Sequence, residues 1–249
     1  MRAVTPSKIL MEKDSTMKKL LSSLLAVCLC LTSAAALGSC GCQKEDTRVI
    51  TAETTQPELV DENGFGYVIV DGKTLTLTQY KGSAVDIQVP SEYDGKPVTE
   101  IENSVFRSQD IKSVSIPSSI KKVGNRAFSD CQKLEKVELA EGVEYIDTFA
   151  FSYAFALKEI KLPSTLKTIG QYAFTACAME EVKIPEGVEE IGAFAFYQCE
   201  NLKTAYVPDT VTTIDKGAFK ESAGLTIYGK SGSAAEQYAK DNGDTFAEE

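Results

Sequence analysis

Between Ile111 and Val207 the apolar residues recur in one short pattern. Five runs, IKSVSI, LEKVEL, LKEIKL, MEEVKI and LKTAYV, place apolar residues first, fourth and sixth, with Tyr206 in an otherwise polar place. Alternation over so few residues predicts a short strand. Pro117, Ala140, Pro163, Pro185 and Pro208 follow the runs in turn. A proline there ends a strand because it has no N–H to give to a ladder. Eleven residues further stands a phenylalanine, with an aliphatic residue five places before it. The pairs Ile101/Phe106, Val123/Phe128, Ile146/Phe151, Ile169/Phe174, Ile191/Phe196 and Ile214/Phe219 repeat at intervals of 22, 23, 23, 22 and 23 residues.

One short strand per 22–23 residues predicts a leucine-rich-repeat solenoid, a mostly β member of the α+β class, with about six coils over residues 98–228. Each coil can bury its apolar set only against its neighbours. Taking one coil as the example, Leu157, Ile160 and Leu162 point inward from the strand. Ile169, Ala173 and Phe174 fill the interior from the other side.

The ends read as caps. In residues 61–97, GYVIVDGKTLTLTQYKG alternates on both sides of Asp71-Gly72, which predicts a β-hairpin. VDIQVP follows as a strand and SEYDGKP as a turn. In residues 229–249, Ser233 is placed to N-cap a short helix and Gly243 to end it. That helix is expected to close the last coil.

The front of the chain follows another pattern. Lys18 and Lys19 precede a run from Leu20 to Leu37 rich in Leu, Ala, Val and Cys, which leads into Gly38, Ser39 and Cys40. A charged start, an apolar run and small residues mark a signal peptide over 1–39, with Met17 an alternative start. An N-terminal anchor helix is the competing reading, since the run is about as long as a membrane span. Ser22, Ser23, Thr32 and Ser33 dilute it. Residues 40–60 are polar and Thr-rich and read as a flexible tether.

Two resemblances add to this. Leu37-Gly38-Ser39-Cys40 resembles the lipobox of bacterial lipoproteins, which implies cleavage before Cys40 and a diacylglycerol on its thiol. The pattern LxxVxIPxxVxxIGxxAFxxC resembles the BspA-like bacterial leucine-rich repeats, and YDGKPVTEI and GKSGSAAEQYAKDNG are similar to that family's ends. The Asn of commoner leucine-rich repeats is replaced by Pro at the strand end. The family implies binding, adhesion or interaction at the cell surface, and it names no ligand.

Charge and chemistry narrow the function. The chain carries −10, and loss of residues 1–39, with five basic and two acidic side chains, takes it to −13. So acidic a body disfavours nucleic acid and anionic headgroups; membrane association is expected through the lipid alone. There is no histidine, which removes the usual general base and the commonest metal ligand. No phosphate loop, GxSxG or HExxH is present. Glu180, Glu181, Glu189 and Glu190 read as a solvated face. No catalytic residue, cofactor or metal site is expected.

Cys131, Cys177 and Cys199 share one repeat position with Ala154 and Ser222, which predicts a small buried filler. The alternative is a Cys177–Cys199 disulfide, within reach of coils stacked about 4.8 Å apart. Two surfaces could bind a partner. On the strand face the outward residues are Ser113/Ser115, Lys136/Glu138, Glu159/Lys161, Glu181/Lys183 and Thr204/Tyr206. Lys136 would stand beside Glu159 and Glu138 beside Lys161, a self-neutralised sheet in which Thr204 and Tyr206 are the candidates. The second surface is an aromatic stripe. Phe149, Tyr172 and Phe194 occupy the place two before the repeat phenylalanine in three consecutive coils, with Tyr153 and Tyr197 close behind. Extra core packing is the competing reading of that stripe. The sequence therefore points to a lipid-anchored, extracytoplasmic, non-catalytic module for a protein partner. A glycan-binding lipoprotein or a structural envelope protein is the alternative.

Overall fold

A computed structural model describes residues 59–249. The signal segment, Cys40 and the tether as far as residue 58 lie outside the described residues. The tether's last two residues form strand β1 (Leu59–Val60), which pairs antiparallel with β2 (Phe65–Val70). β2 and β3 (Thr74–Tyr80) make the expected hairpin, and Asp71 (φ 49°) and Gly72 (φ 67°) are both left-handed, as a type I′ turn requires. β4 (Asp86–Gln88) comes next. β5 (Glu92–Tyr93) and β6 (Lys96–Ile101) then form a second, smaller hairpin across Asp94 and Gly95.

Each following coil but the last carries two strands, one more than the pattern predicts. The first strands are β7 (Ser113–Ile116), β9 (Lys136–Leu139), β11 (Glu159–Lys161), β13 (Glu181–Lys183), β15 (Thr204–Tyr206) and β17 (Thr226–Gly229). The second are two-residue strands: β8 (Lys122–Val123), β10 (Tyr145–Ile146), β12 (Thr168–Ile169), β14 (Glu190–Ile191) and β16 (Thr213–Ile214). The second set forms one continuous parallel ladder that starts from β3 and β6. β4 also lies in the ladder of the first strands, beside β7. With both caps the winding reaches about eight turns, where the repeat pattern alone gives six.

Helix α1 (Ala234–Asn242) ends the solenoid as predicted. Ser233 accepts from the Glu236 N–H, and Gly243 is left-handed at φ 75°. The segment read as a tail after it is a further strand, β18 (Thr245–Glu248), parallel to β17.

The first-strand ladder is broken once. β4, β7, β9 and β11 form one sheet, and β13, β15, β17 and β18 another. The cause is a shortened corner. Three positions separate Cys131 from Leu134, Ala154 from Leu157 and Cys199 from Leu202, but only two separate Cys177 from Met179. The chain enters β13 a residue early, and the Ala178 N–H bonds the Leu157 carbonyl at 2.9 Å where the ladder would otherwise continue. Ile160, expected inside, is only half-buried because β11 borders this break. Leu157, Leu162, Ile169, Ala173 and Phe174 are buried as predicted.

The interior is organised by a column of stacked rings. Phe106, Phe128, Phe151, Phe174, Phe196 and Phe219 lie face to face at centroid distances of 4.8, 5.2, 5.5, 5.3 and 5.1 Å. Tyr80 covers its first ring and Tyr238 its last. Beside the column, the Cys131, Cys177 and Cys199 thiols donate to the carbonyls of Phe106, Phe151 and Phe174 in the preceding coils, at 3.0, 3.4 and 3.2 Å. All three are unpaired and buried, as the small-filler reading predicts, and Cys177 and Cys199 form no disulfide. Burial pushes the Cys131 thiol up to about 11 and Cys199 to about 12, and holds Cys177 well above its ordinary range. Such thiols are inert at neutral pH.

Candidate binding surface

The aromatic stripe sits on an unusual backbone. Ser104, Arg126, Phe149, Tyr172, Phe194 and Gly217, each two residues before a repeat phenylalanine, all have φ between 53° and 68°. Ser108, Asp130, Tyr153, Ala176, Gln198 and Glu221, each two residues after one, are left-handed as well. A left-handed residue with a side chain costs about 1–2 kcal/mol. The conformation repeats because it aims backbone donors along the solenoid axis. The N–H groups of Phe149, Phe151 and Tyr153, for example, donate to the carbonyls of Gln171, Ala173 and Thr175 in the next coil, at 2.9, 2.8 and 2.8 Å. These interior bonds offset the strain.

On this scaffold the stripe residues stack. Phe149 and Tyr172 lie 4.8 Å apart and 2° from parallel, and Tyr172 and Phe194 are 5.0 Å apart and 10° from parallel. The Arg126 guanidinium sits 4.6 Å above the Phe149 ring at one end. At the other, Gly217 leaves the room that Phe194 needs, since a Cβ there would lie 2.6 Å from the ring. All three rings are half-buried. They pack between coils, as the core-packing reading has it, and remain partly exposed.

Of the remaining members Tyr197 joins this column, while Tyr153 pairs with a ring outside it. The Tyr197 ring meets Phe194 edge-on at 5.6 Å. Its hydroxyl donates to the Glu221 carboxylate at 3.0 Å, and Gln198 Nε2 donates to the other oxygen of that carboxylate. The hydrogen bond to Glu221, followed by partial burial and the nearby carboxylate charge, raises the Tyr197 pKa. Tyr153 is 39% exposed and touches Phe155, whose 53% exposure is the highest of any large apolar side chain among the described residues.

Phe155 was not singled out in the sequence, though a signal exists. Its column otherwise holds Asp110, Gln132, Ala178, Glu200 and Ala223, so it is the only large apolar side chain there. It borders a notch of 280 Å³ lined also by Ala176, Cys177, Ala178, Gln198, Glu200 and Asn201. The notch opens at the shortened corner, where one residue fewer leaves a gap between successive coils.

The strand face is polar, as expected. Glu159 faces Lys136 and Lys161 faces Glu138 in register. The closest ion pairs nevertheless run within strands, Lys136 with Glu138 and Lys183 with Glu181. Residues two apart on one strand share a face, and the flexible lysines reach along it. Thr204 and Tyr206 are half-buried there. Tyr206 stacks on Tyr228 at 4.9 Å, and Lys183 Nζ lies 5.3 Å above its other face. Among the described residues no cluster of three metal-ligating side chains occurs, and no helix is long and apolar enough to cross a membrane.

Two stacked parallel ladders, a shared phenylalanine column and capped ends define a leucine-rich-repeat solenoid. The chain belongs to the BspA type leucine rich repeat family, six copies of whose region match residues 99–226. A leucine-rich repeat protein of T. pallidum superposes with a TM-score of 0.66 at 26% identity, over 76% of this chain and 97% of that one. One from Bacteroides ovatus gives 0.61 at 31% identity, over 68% of this chain and 46% of that one. A leucine rich cell surface protein of Faecalibacterium prausnitzii shares the fold, with a TM-score of 0.56 at 24% identity over 69% of this chain and 54% of that one. The chain thus spans about half the length of the latter two. No curated protein matches it in sequence.

Proposed function

We propose that this chain is an extracytoplasmic, non-catalytic binding module, held to the bacterial membrane by a diacylglycerol on Cys40, that docks a protein partner on its turn face. The observation that carries the reading is the aromatic surface spanning three coils, from Phe149 through Tyr172 to Phe194 and Tyr197, covered at one end by Arg126 of the coil before and with Tyr153 and Phe155 exposed beside it. An apolar surface concentrated on one side of a soluble fold marks an interaction site. The family, and the surface location in the name of the Faecalibacterium protein, agree with it.

Ring orientation favours a protein over a glycan. A sugar stacks on an aromatic face, yet the faces of Phe149 and Tyr172 are covered by Arg126 and by each other's neighbours in the column. Tyr206 on the strand face is covered on both sides too, by Lys183 and Tyr228. What the column leaves partly exposed, with the single open Phe155 ring beside it, suits an apolar and hydrogen-bonding protein surface.

The test compares surface-proximity labelling around the wild-type chain on intact cells with that around the Tyr153→Ser/Phe155→Ser variant. Both side chains are exposed, so the fold should survive. The reading expects a discrete set of labelled proteins that the variant loses. Identical labelling, or a glycan-array signal without any protein signal, would overturn it. Loss of metabolic lipid labelling in Cys40→Ala tests the anchor separately.

A further inference from the structure

The notch beside Phe155 differs from the rest of the aromatic surface in three respects. Its ring is mostly exposed, and its only ring neighbour among the described residues is Tyr153, tilted at 57° and 6.0 Å away. Its lining carries one charge, the Glu200 carboxylate, and no lysine or arginine. Glu200 makes no hydrogen bond or ion pair through its side chain among the described residues, whereas Glu221 of the following coil is occupied by Tyr197 and Gln198. The site is therefore an open aromatic ring with an unused carboxylate, on a chain of net charge −10.

The same molecule shows what such rings accept. Arg126 lays its guanidinium on Phe149, and Lys183 its ammonium on Tyr206. A cation over a ring face is attracted by the ring's quadrupole, and arginine is the commoner partner because its plane stacks. At Phe155 no cation is supplied from among the described residues.

We propose that the notch receives an arginine side chain of a protein partner, its guanidinium on the Phe155 ring and paired with Glu200. This rests on the reading of the turn face as a protein-docking surface and adds the chemistry of one contact. The gap left by the shortened Cys177–Met179 corner gives the side chain its depth. Ala176 and Ala178 line it without obstructing it, and Gln198 and Asn201 offer amide oxygens to guanidinium N–H groups left over from Glu200.

The test titrates the full chain with N-acetyl-arginine methylamide and, separately, with its citrulline counterpart, which has nearly the same shape and no charge. Binding is read from nuclear magnetic resonance shifts. The proposal expects the arginine probe to shift Phe155, Ala176, Ala178, Gln198 and Glu200, and the citrulline probe to bind about tenfold more weakly. Phe155→Ser and Glu200→Gln should each weaken the arginine response about tenfold while leaving the rest of the spectrum in place. Equal binding of the two probes, shifts centred on Lys183 and Tyr206, or no shift up to the probe's solubility limit would overturn it. If the arginine probe fails while Tyr153→Ser/Phe155→Ser still abolishes cell-surface labelling, the docking surface stands and only the arginine contact falls. If both fail, the surface itself is wrong.

Discussion

The backbone N–H of Phe219 donates to the hydroxyl oxygen of Tyr238 at 3.0 Å, and the two rings meet edge to face at 5.7 Å. Every earlier repeat phenylalanine gives that N–H to a carbonyl of the next coil: Phe106 to Ala127, Phe128 to Ala150, Phe151 to Ala173, Phe174 to Ala195 and Phe196 to Ala218. Phe219 has no next coil. One side chain from helix α1 replaces both the missing acceptor and the missing ring. Tyr238→Phe keeps the ring and removes the acceptor, leaving a buried donor unpaired at a cost of about 1–3 kcal/mol. The urea midpoint should fall, and amide exchange should quicken first in the last coil.

The phenylalanine column is the main apolar contribution to stability. Phe174→Ala in its middle should lose about 3–5 kcal/mol, a large part of a domain's usual total. Phe155→Ser, at the exposed notch, should stay within about 0.5 kcal/mol. Chemical denaturation of the two variants checks the contrast. Similar losses would mean that Phe155 is packed in solution.

Gly217 and Phe194 should be energetically coupled. Gly217→Ala places a side chain on a left-handed residue, at about 1–2 kcal/mol, and pushes its Cβ against the Phe194 ring. Phe194→Ala removes the obstacle but not the backbone strain. A double-mutant cycle should therefore show the pair less destabilising than the sum of the singles.

The buried thiols contribute to the alkaline limit, alongside Tyr67 and Tyr238, whose hydroxyls burial also holds above their ordinary range. The Cys131 and Cys199 pKa values, about 11 and about 12, lie above the ordinary 9.0 of an unfolded thiol because burial disfavours the thiolate. The unfolded chain gives up its thiol protons first as pH rises, so the stability these thiols contribute is constant below about pH 9 and is lost between 9 and 12. Cys131 alone should account for a loss on the order of 2 kcal/mol by pH 11. The same burial predicts that Cys131, Cys177 and Cys199 resist thiol reagents at pH 8 until the chain is denatured.

Much of the fold was legible because the repeat states its core six times. Phe174 and Ile169 could be placed inside from spacing alone, and Ser233 and Gly243 mark the helix ends by chemistry that acts locally. The second strands were not legible. Two residues such as Lys122–Val123 carry no alternation, and their pairing is fixed by coil stacking. The left-handed positions were hidden for a related reason. Only Gly217 hints at them, while Phe149 and Tyr172 adopt a conformation their side chains disfavour because inter-coil hydrogen bonds hold it. The stripe could be read from the sequence, but Phe155 and its notch depend on a one-residue difference in a single corner. That difference shows only when the Cys-to-strand intervals are set beside one another.

We propose that a protein partner meets the turn face and not the strand face. Site-specific photo-crosslinking on intact cells tests it most directly, with the crosslinker placed at Tyr153 in one variant and at Lys136 in another. A discrete protein adduct is expected from Tyr153 and none from Lys136. An adduct from Lys136 alone would contradict it.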